Sequence, residues 1–435
     1  MAEAHERLVR AIGRWSLAAL TVNSIIGSGI FGLPSVVAGL VGNASPLAVL
    51  IAGAAMGVVM ACFAEVASYF NEAGGVYLYI RTAFGRLLGI QTGWMLWLVR
   101  ITAPAASANL FVTYCAEFWP PATEPLPRFL ILTFLFGILA FVNYRGVRAG
   151  TRVNNIFTVA KLLPLLVVII AGVFYLVVRH GLVLAASPEL GTGAWLKVML
   201  PLTFAYGGFE TALTPMSEAR NPRRDAAFGL FAALVTCIVV YTLMQWVVVG
   251  VLPDPVHTDR PVADVARVVL GATGALLVTL GVLFSGYGYL SANMLGVPRI
   301  TLALAEGGDF PSLFAAIHPR FRTPYFSIMV FALLTWLLAI LGSFTWNLTL
   351  SAVARSFYYG LGCAALPVLR GKQPGAAQFR LPAGRFFAAL GVLICLILLS
   401  RADLSQSVIL AATIAVALLN WTWVRARKPA AAAAE

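Results

Sequence analysis

Apolar stretches long enough to cross a hydrocarbon core about 30 Å thick recur along this chain. In hydrocarbon every backbone amide and carbonyl needs a partner within the protein, so an unbroken series of such stretches restricts the chain to membrane helices or a closed barrel. Stretches of about 17–25 residues suit helices, whereas barrel strands need only about 9–11. Twelve can be read, at roughly 14–42, 45–70, 87–116, 128–144, 152–178, 194–218, 227–251, 273–304, 324–342, 345–369, 384–400 and 405–424. Composition agrees: 60% of the 435 residues are hydrophobic and only 11% charged, against about 25% charged in a soluble domain. The expected class is an all-α polytopic membrane protein of 12 spans.

The first and sixth stretches are interrupted at matching positions, by Ile25-Ile26-Gly27-Ser28-Gly29-Ile30-Phe31 and by Phe204-Ala205-Tyr206-Gly207-Gly208-Phe209-Glu210. A pair of interrupted membrane helices points to a transporter's binding site, because unwound backbone survives at that depth only where it faces protein, water or solute. Small residues also let intact helices pack closely. The glycines, however, are spaced more tightly than the four-residue repeat of a packing face, and Pro34 and Pro215 follow the two breaks, each removing a backbone donor. A helix that stops near Ile26 and restarts near Ile30 turns the amides of Ser28, Gly29 and Ile30 into the gap, where the positive end of a half-helix suits a carboxylate. Carbonyls freed near Ile25 and around Phe204 and Gly207 suit an ammonium group. Together the two poles describe an α-amino acid.

The net charge of +13 does not mark a nucleic-acid partner, because its distribution follows topology. With the N-terminus in the cytoplasm, 21 of the 30 Lys and Arg residues fall on the cytoplasmic side and 6 on the other. By the positive-inside rule both termini are cytoplasmic, and the basic surface is matched to an anionic lipid bilayer. The charged segment 1–14 runs directly into the first span, so no cleavable leader is expected. The five cysteines fall singly in or at the ends of apolar stretches and the four histidines fall outside them, so neither a metal site nor an embedded enzyme is expected.

The two interrupted motifs, the Gly74-Gly75-Val76-Tyr77 run with Gly93-Trp94 after it, and Pro311 with His318-Pro319-Arg320-Phe321-Arg322-Thr323-Pro324 together resemble the amino acid–polyamine–organocation permeases, over about residues 14–423. The resemblance implies a leucine-transporter-type fold with 5+5 inverted repeats, the first at 14–180 and the second at 181–370. Two peripheral spans would occupy 371–424, flanked by cytoplasmic segments at 1–13 and 425–435. It implies a substrate site built from Ile25, Gly27, Ser28, Gly29, Ile30, Phe204, Ala205 and Gly207, with Phe204 as an aromatic gate, in a bacterial cytoplasmic membrane. Segment 261–270 would be a short helix capping the outer vestibule.

Glu65, Arg100, Lys161, Glu210 and Arg355 are ionisable residues within spans, each costing about 2–3 kcal/mol or more at the bilayer centre unless paired or hydrated. Lys161 lies about nine residues, or about 14 Å, into its span, near the midplane. It is either a structural ammonium or, as the resemblance implies, a stand-in for a sodium ion between spans 1, 5 and 8, which favours protons as the coupling ion. Glu210 is either a proton-sensing carboxylate or the cap of the restarting half-helix. Arg100 and Arg355 pair with Glu65 or Glu210 or face a water-filled vestibule; if either reaches the substrate cavity, an acidic side chain becomes possible. Ser107 and Asn293 are the polar candidates for the side-chain pocket, against the alternative that they bond between helices. The small apolar run Ala103, Pro104, Ala105 and Ala106 favours a neutral side chain.

The expected function is secondary active, proton-coupled, sodium-independent transport of neutral L-amino acids by alternating access. The alternatives are an exchanger of amino acids or polyamines and a non-transporting receptor. No cofactor beyond the coupling proton and no partner subunit is expected.

Overall fold

Both glycine-centred motifs break their helices. In the computed structural model, which describes residues 12–72, 74–146, 151–179, 191–214 and 216–426 but not the side chains of 151–161, 179 and 217, α1 (Arg14–Ile25) ends at an extended Ile26 and α2 (Gly29–Val41) begins three residues on. Next come α3 (Ser45–Ala67), the short α4 (Gly75–Phe84) and α5 (Arg86–Cys115). They are followed by α6 (Pro125–Arg145) and α7 (Thr151–Arg179). The second break separates α8 (Thr192–Tyr206) from α9 (Phe209–Ala212), with Gly207 extended and Gly208 left-handed at φ 108°. Then follow α10 (Pro222–Val251), α11 (Pro261–Glu306), α12 (Tyr325–Leu341), α13 (Phe344–Lys372), α14 (Gly384–Leu399) and α15 (Leu404–Ala426).

Each apolar stretch read from the sequence falls on one of these helices or on a broken pair. Helix α11 contains a non-helical residue, Gly271 (φ 76°), which sets 261–270 apart from the long apolar part. Among the described residues seven helical segments have the length and composition to cross a membrane, and three shorter apolar helices accompany them. Phe134, Ile170, Phe174 and Leu419 expose 68–71% of their area. Large apolar side chains displayed this way need a lipid surround. The protein is an all-helical, polytopic integral membrane protein.

The broken helices lie side by side, α1 on α9 and α2 on α8, and so run antiparallel. Around them α3 packs on α10, α5 on α13, α7 on α11 and α6 on α12. Small residues permit these approaches, as membrane helices require in the absence of a hydrophobic drive between them. A Cβ at Gly362 of α13 would stand 2.2 Å from the Phe63 ring of α3, and one at Gly53 would stand 2.6 Å from Ile238 of α10. Glu65 is fully buried on α3. Its carboxylate accepts from Arg370 at 2.7 and 2.6 Å and from the Leu381 amide at 2.8 Å, so its partner is neither Arg100 nor Arg355.

Candidate functional site: a cavity between two broken helices

The two breaks touch. Left-handed Gly208 approaches the end of α1 so closely that a Cβ there would stand 2.4 Å from the Ser24 carbonyl oxygen. Only glycine adopts this backbone without strain while leaving room for that carbonyl. On the other side of the crossing, Gly29 faces Ala205, whose Cα would be 3.3 Å from an added Cβ. The Tyr241 hydroxyl of α10 lies 3.1 Å from both the Ile25 and the Ala205 carbonyl oxygens. One side chain thus serves the ends of both half-helices. The Phe204 carbonyl accepts from the Gly207 amide at 3.2 Å. In α2 the first backbone bonds run from Phe31 and Gly32 to the Ser28 carbonyl, both at 3.2 Å, so the Ser28, Gly29 and Ile30 amides precede the ladder, as the first donors of any helix do.

A cavity of about 360 Å³ opens beside the breaks. Ser24, Gly27 and Ser28 line it from the first break, and Gly208, Glu210 and Thr211 from the second. Helix α5 contributes Arg100, Ala103 and Ser107, α11 contributes Ser285, Tyr289 and Asn293, and α13 contributes Arg355. The Ser107 hydroxyl donates to Ser28 Oγ at 2.9 Å and lies 3.1 Å from the Ala103 carbonyl. The Asn293 amide donates to the Tyr289 carbonyl one turn back at 2.9 Å, which turns its oxygen into a separate acceptor.

Glu210 is buried and its carboxylate is heavily subscribed. It accepts from the Gly208 amide at 2.9 Å, from the Tyr358 hydroxyl at 2.9 Å and from the Tyr359 hydroxyl at 2.7 Å. Arg355 adds an ion pair at 3.8 Å. The bond to the Gly208 amide is a cap on α9, whose first turn carries this carboxylate. Arg355 itself is 6% exposed. Its guanidinium lies 5.5 Å above the Phe204 ring, a cation–π arrangement, and fills the space that a Gly207 side chain would need. Arg100 donates to the Thr211 hydroxyl at 3.0 Å.

Of the residues expected to bind substrate, Gly27, Ser28, Ser107 and Asn293 line the cavity together with Glu210. Ile25, Gly29, Ile30, Phe204, Ala205 and Gly207 belong to the breaks but are not among the lining residues. Phe204 lies beneath Arg355 rather than at the cavity wall. The Lys161 side chain and Pro215 lie outside the described residues. Sequence reasoning singled out Arg100 and Arg355 by their depth and left them between pairing with Glu65 or Glu210 and facing a vestibule or the cavity; both line the cavity, and Arg355 also pairs with Glu210. Tyr241, Tyr289, Thr211, Tyr358 and Tyr359 were missed, because aromatic and hydroxyl residues in apolar helices carry no periodic signal that separates a site from packing.

A solute-sized cavity bounded by two antiparallel broken helices, in an integral membrane protein with polar groups converging at the breaks, defines a membrane permease. The chain belongs to the amino acid permease family, whose model matches residues 12–419. It is 28% identical over 405 residues to the methylthioribose transporter of Bacillus subtilis, covering 86% of this chain and 84% of the relative. It is 26% identical over 411 residues to the branched-chain amino acid permease BcaP of the same organism, covering 90% and 88%. A large neutral amino acids transporter small subunit 2 of Rattus norvegicus is 29% identical over 385 residues, covering 84% and 71%.

Proposed function

We propose that this permease is a secondary transporter that carries an α-amino acid by alternating access, driven by protons and independent of sodium. The observation that carries the reading is the cavity lined from both breaks, by Ser24, Gly27 and Ser28 from the first and by Gly208, Glu210 and Thr211 from the second, with the Ser28 amide ahead of the α2 ladder. The antiparallel contact of α1 with α9 and of α2 with α8 supports inverted repeats at 14–180 and 181–370. So does the pairing of α5 with α13 and α7 with α11, which exchange under that symmetry. In this reading the chain has 12 spans, α14 and α15 are peripheral, and both termini are in the bacterial cytoplasm, which the arginine distribution supports.

Lys161 is the coupling residue of this proposal. It sits on α7, which packs against α11, and an ammonium there supplies the positive charge that a sodium ion would otherwise bring. Phe204 is the proposed gate, able to move only together with the Arg355 it supports. The side-chain preference is less simple than the small run from Ala103 to Ala106 suggests. Two relatives are named for branched-chain and large neutral amino acids, which favours a neutral side chain, whereas two arginines in the lining favour an acidic one.

Uptake of radiolabelled amino acids into liposomes holding the purified protein tests the proposal, with an inward proton gradient, with and without sodium, and with Lys161→Ala alongside. Uptake should rise with the proton gradient, ignore sodium and lose its gradient dependence in the variant. Flux only from preloaded liposomes identifies an exchanger, and tight binding without flux identifies a receptor.

A further inference from the structure

Among the described residues the cavity lining holds two guanidinium groups and one carboxylate, and that carboxylate is already used. Arg355 forms the ion pair with Glu210, whose oxygens also accept from two tyrosine hydroxyls and a backbone amide. Arg100 has no carboxylate within ion-pair distance among the described residues, and its bond to Thr211 is to a neutral hydroxyl. A guanidinium carries five N–H donors, so Arg100 keeps most of its bonding capacity for something else. The Arg355 Nε is the atom that faces Glu210, at 3.8 Å and so beyond hydrogen-bond distance.

From this charge balance we infer that the permease takes an amino acid with a second carboxylate, seated on Arg100 with Arg355 beside it. The inference rests on the amino acid reading above and names its substrate class. A zwitterion with a neutral side chain adds no net charge, so once water is expelled on closure it leaves one positive charge uncompensated at depth. A cationic side chain adds a second. An acidic amino acid brings a negative charge to set against Arg100.

The spacing agrees. Arg100 and Ser107 are seven residues, two turns, apart on α5 and so share a face, about 10 Å apart along the axis. Ser107 is bonded to Ser28 at the start of α2, where the α-carboxylate would lie. Arg100 and Ser107 thus line one cavity from the same helix. Asn293 faces the same cavity and offers its side-chain oxygen to the substrate ammonium.

Competition in proteoliposomes and ligand-induced thermal shift in detergent test the inference with isosteric pairs, glutamate against glutamine and aspartate against asparagine. The acidic member of each pair should be preferred by about tenfold or more. Arg100→Gln should erase that preference while Arg100→Lys keeps part of it. Transport or binding of glutamine with glutamate ignored overturns the inference and leaves the amino acid reading standing. A preference for glutamate that survives unchanged in Arg100→Gln overturns the assignment to Arg100. If no amino acid binds or is carried, the amino acid reading itself fails and this inference with it. Should Arg100→Gln fail to fold, the wild-type pairs alone decide.

Discussion

Gly208 is the least replaceable residue of the site, since its φ of 108° and its contact with Ser24 both exclude a side chain. Strain of this kind costs about 1–3 kcal/mol, and here it falls on the contact between the two breaks. Gly208→Ala is expected to lower the unfolding temperature in detergent and to reduce uptake about tenfold; wild-type behaviour on both would remove the steric argument. Glu210→Gln keeps the shape but turns one accepting oxygen into a donor and strips Arg355 of its counter-charge. Leaving a buried charge unpaired costs about 3–5 kcal/mol, so this variant should be markedly less stable by thermal unfolding than Asp254→Asn at the exposed Asp254–His257 pair. Phe204→Ala removes the ring under the Arg355 guanidinium, an interaction worth about 0.5–2 kcal/mol. Faster escape of bound substrate on rapid dilution is expected, and unchanged retention would take the gate role from Phe204.

At the scale of elements, the breaks hold their shape because a third helix, α10, meets both of them. Tyr241 lies within reach of the Ile25 and Ala205 carbonyls, which have lost their usual helical donors. Tyr241→Phe takes away that hydroxyl, at an expected cost of about 1–3 kcal/mol for acceptors left unsatisfied at depth. Hydrogen exchange should then quicken at 26–30 and 207–210 and remain unchanged in α6 or α12. The Glu210 cap works in the same way: two residues after the break, it returns to the Gly208 amide and holds the start of a helix only four residues long.

Across the whole molecule, α5 is tied at both ends. Near Arg86, buried Asp309 bonds to Arg81 at 2.9 Å and Arg86 at 2.7 Å, and accepts from Tyr77. Beyond Cys115, Glu117 pairs with Arg260 at 3.1 Å and with Arg267. The proposed alternating access requires each end to open in turn, so Asp309→Asn and Glu117→Gln should act in opposite directions. With Asn293→Cys as reporter, an impermeant thiol reagent should react faster from the α4 side in the first variant and faster from the 261–270 side in the second. Acceleration from the same side in both would rule out these ties as opposing latches.

Much of this was legible before any fold. Solvation in hydrocarbon forces apolar length, glycine breaks and arginine placement to appear as local patterns, and each apolar stretch falls on a helix or a broken pair, while α4 lay outside them. The contact of Gly208 with Ser24 and the pairing of Glu65 with Arg370 were not legible, and the choice among the open alternatives, Arg355 as the partner of Glu210 and Arg100 in the cavity, was not either. Each joins residues far apart in the chain through side chains that one helix alone leaves free to point elsewhere. The sequence by itself determined a membrane permease with two broken helices, because bilayer solvation acts on each segment separately. Which charges face the solute was decided only by the tertiary packing, because charge balance in a cavity is a sum over helices that meet nowhere in the sequence.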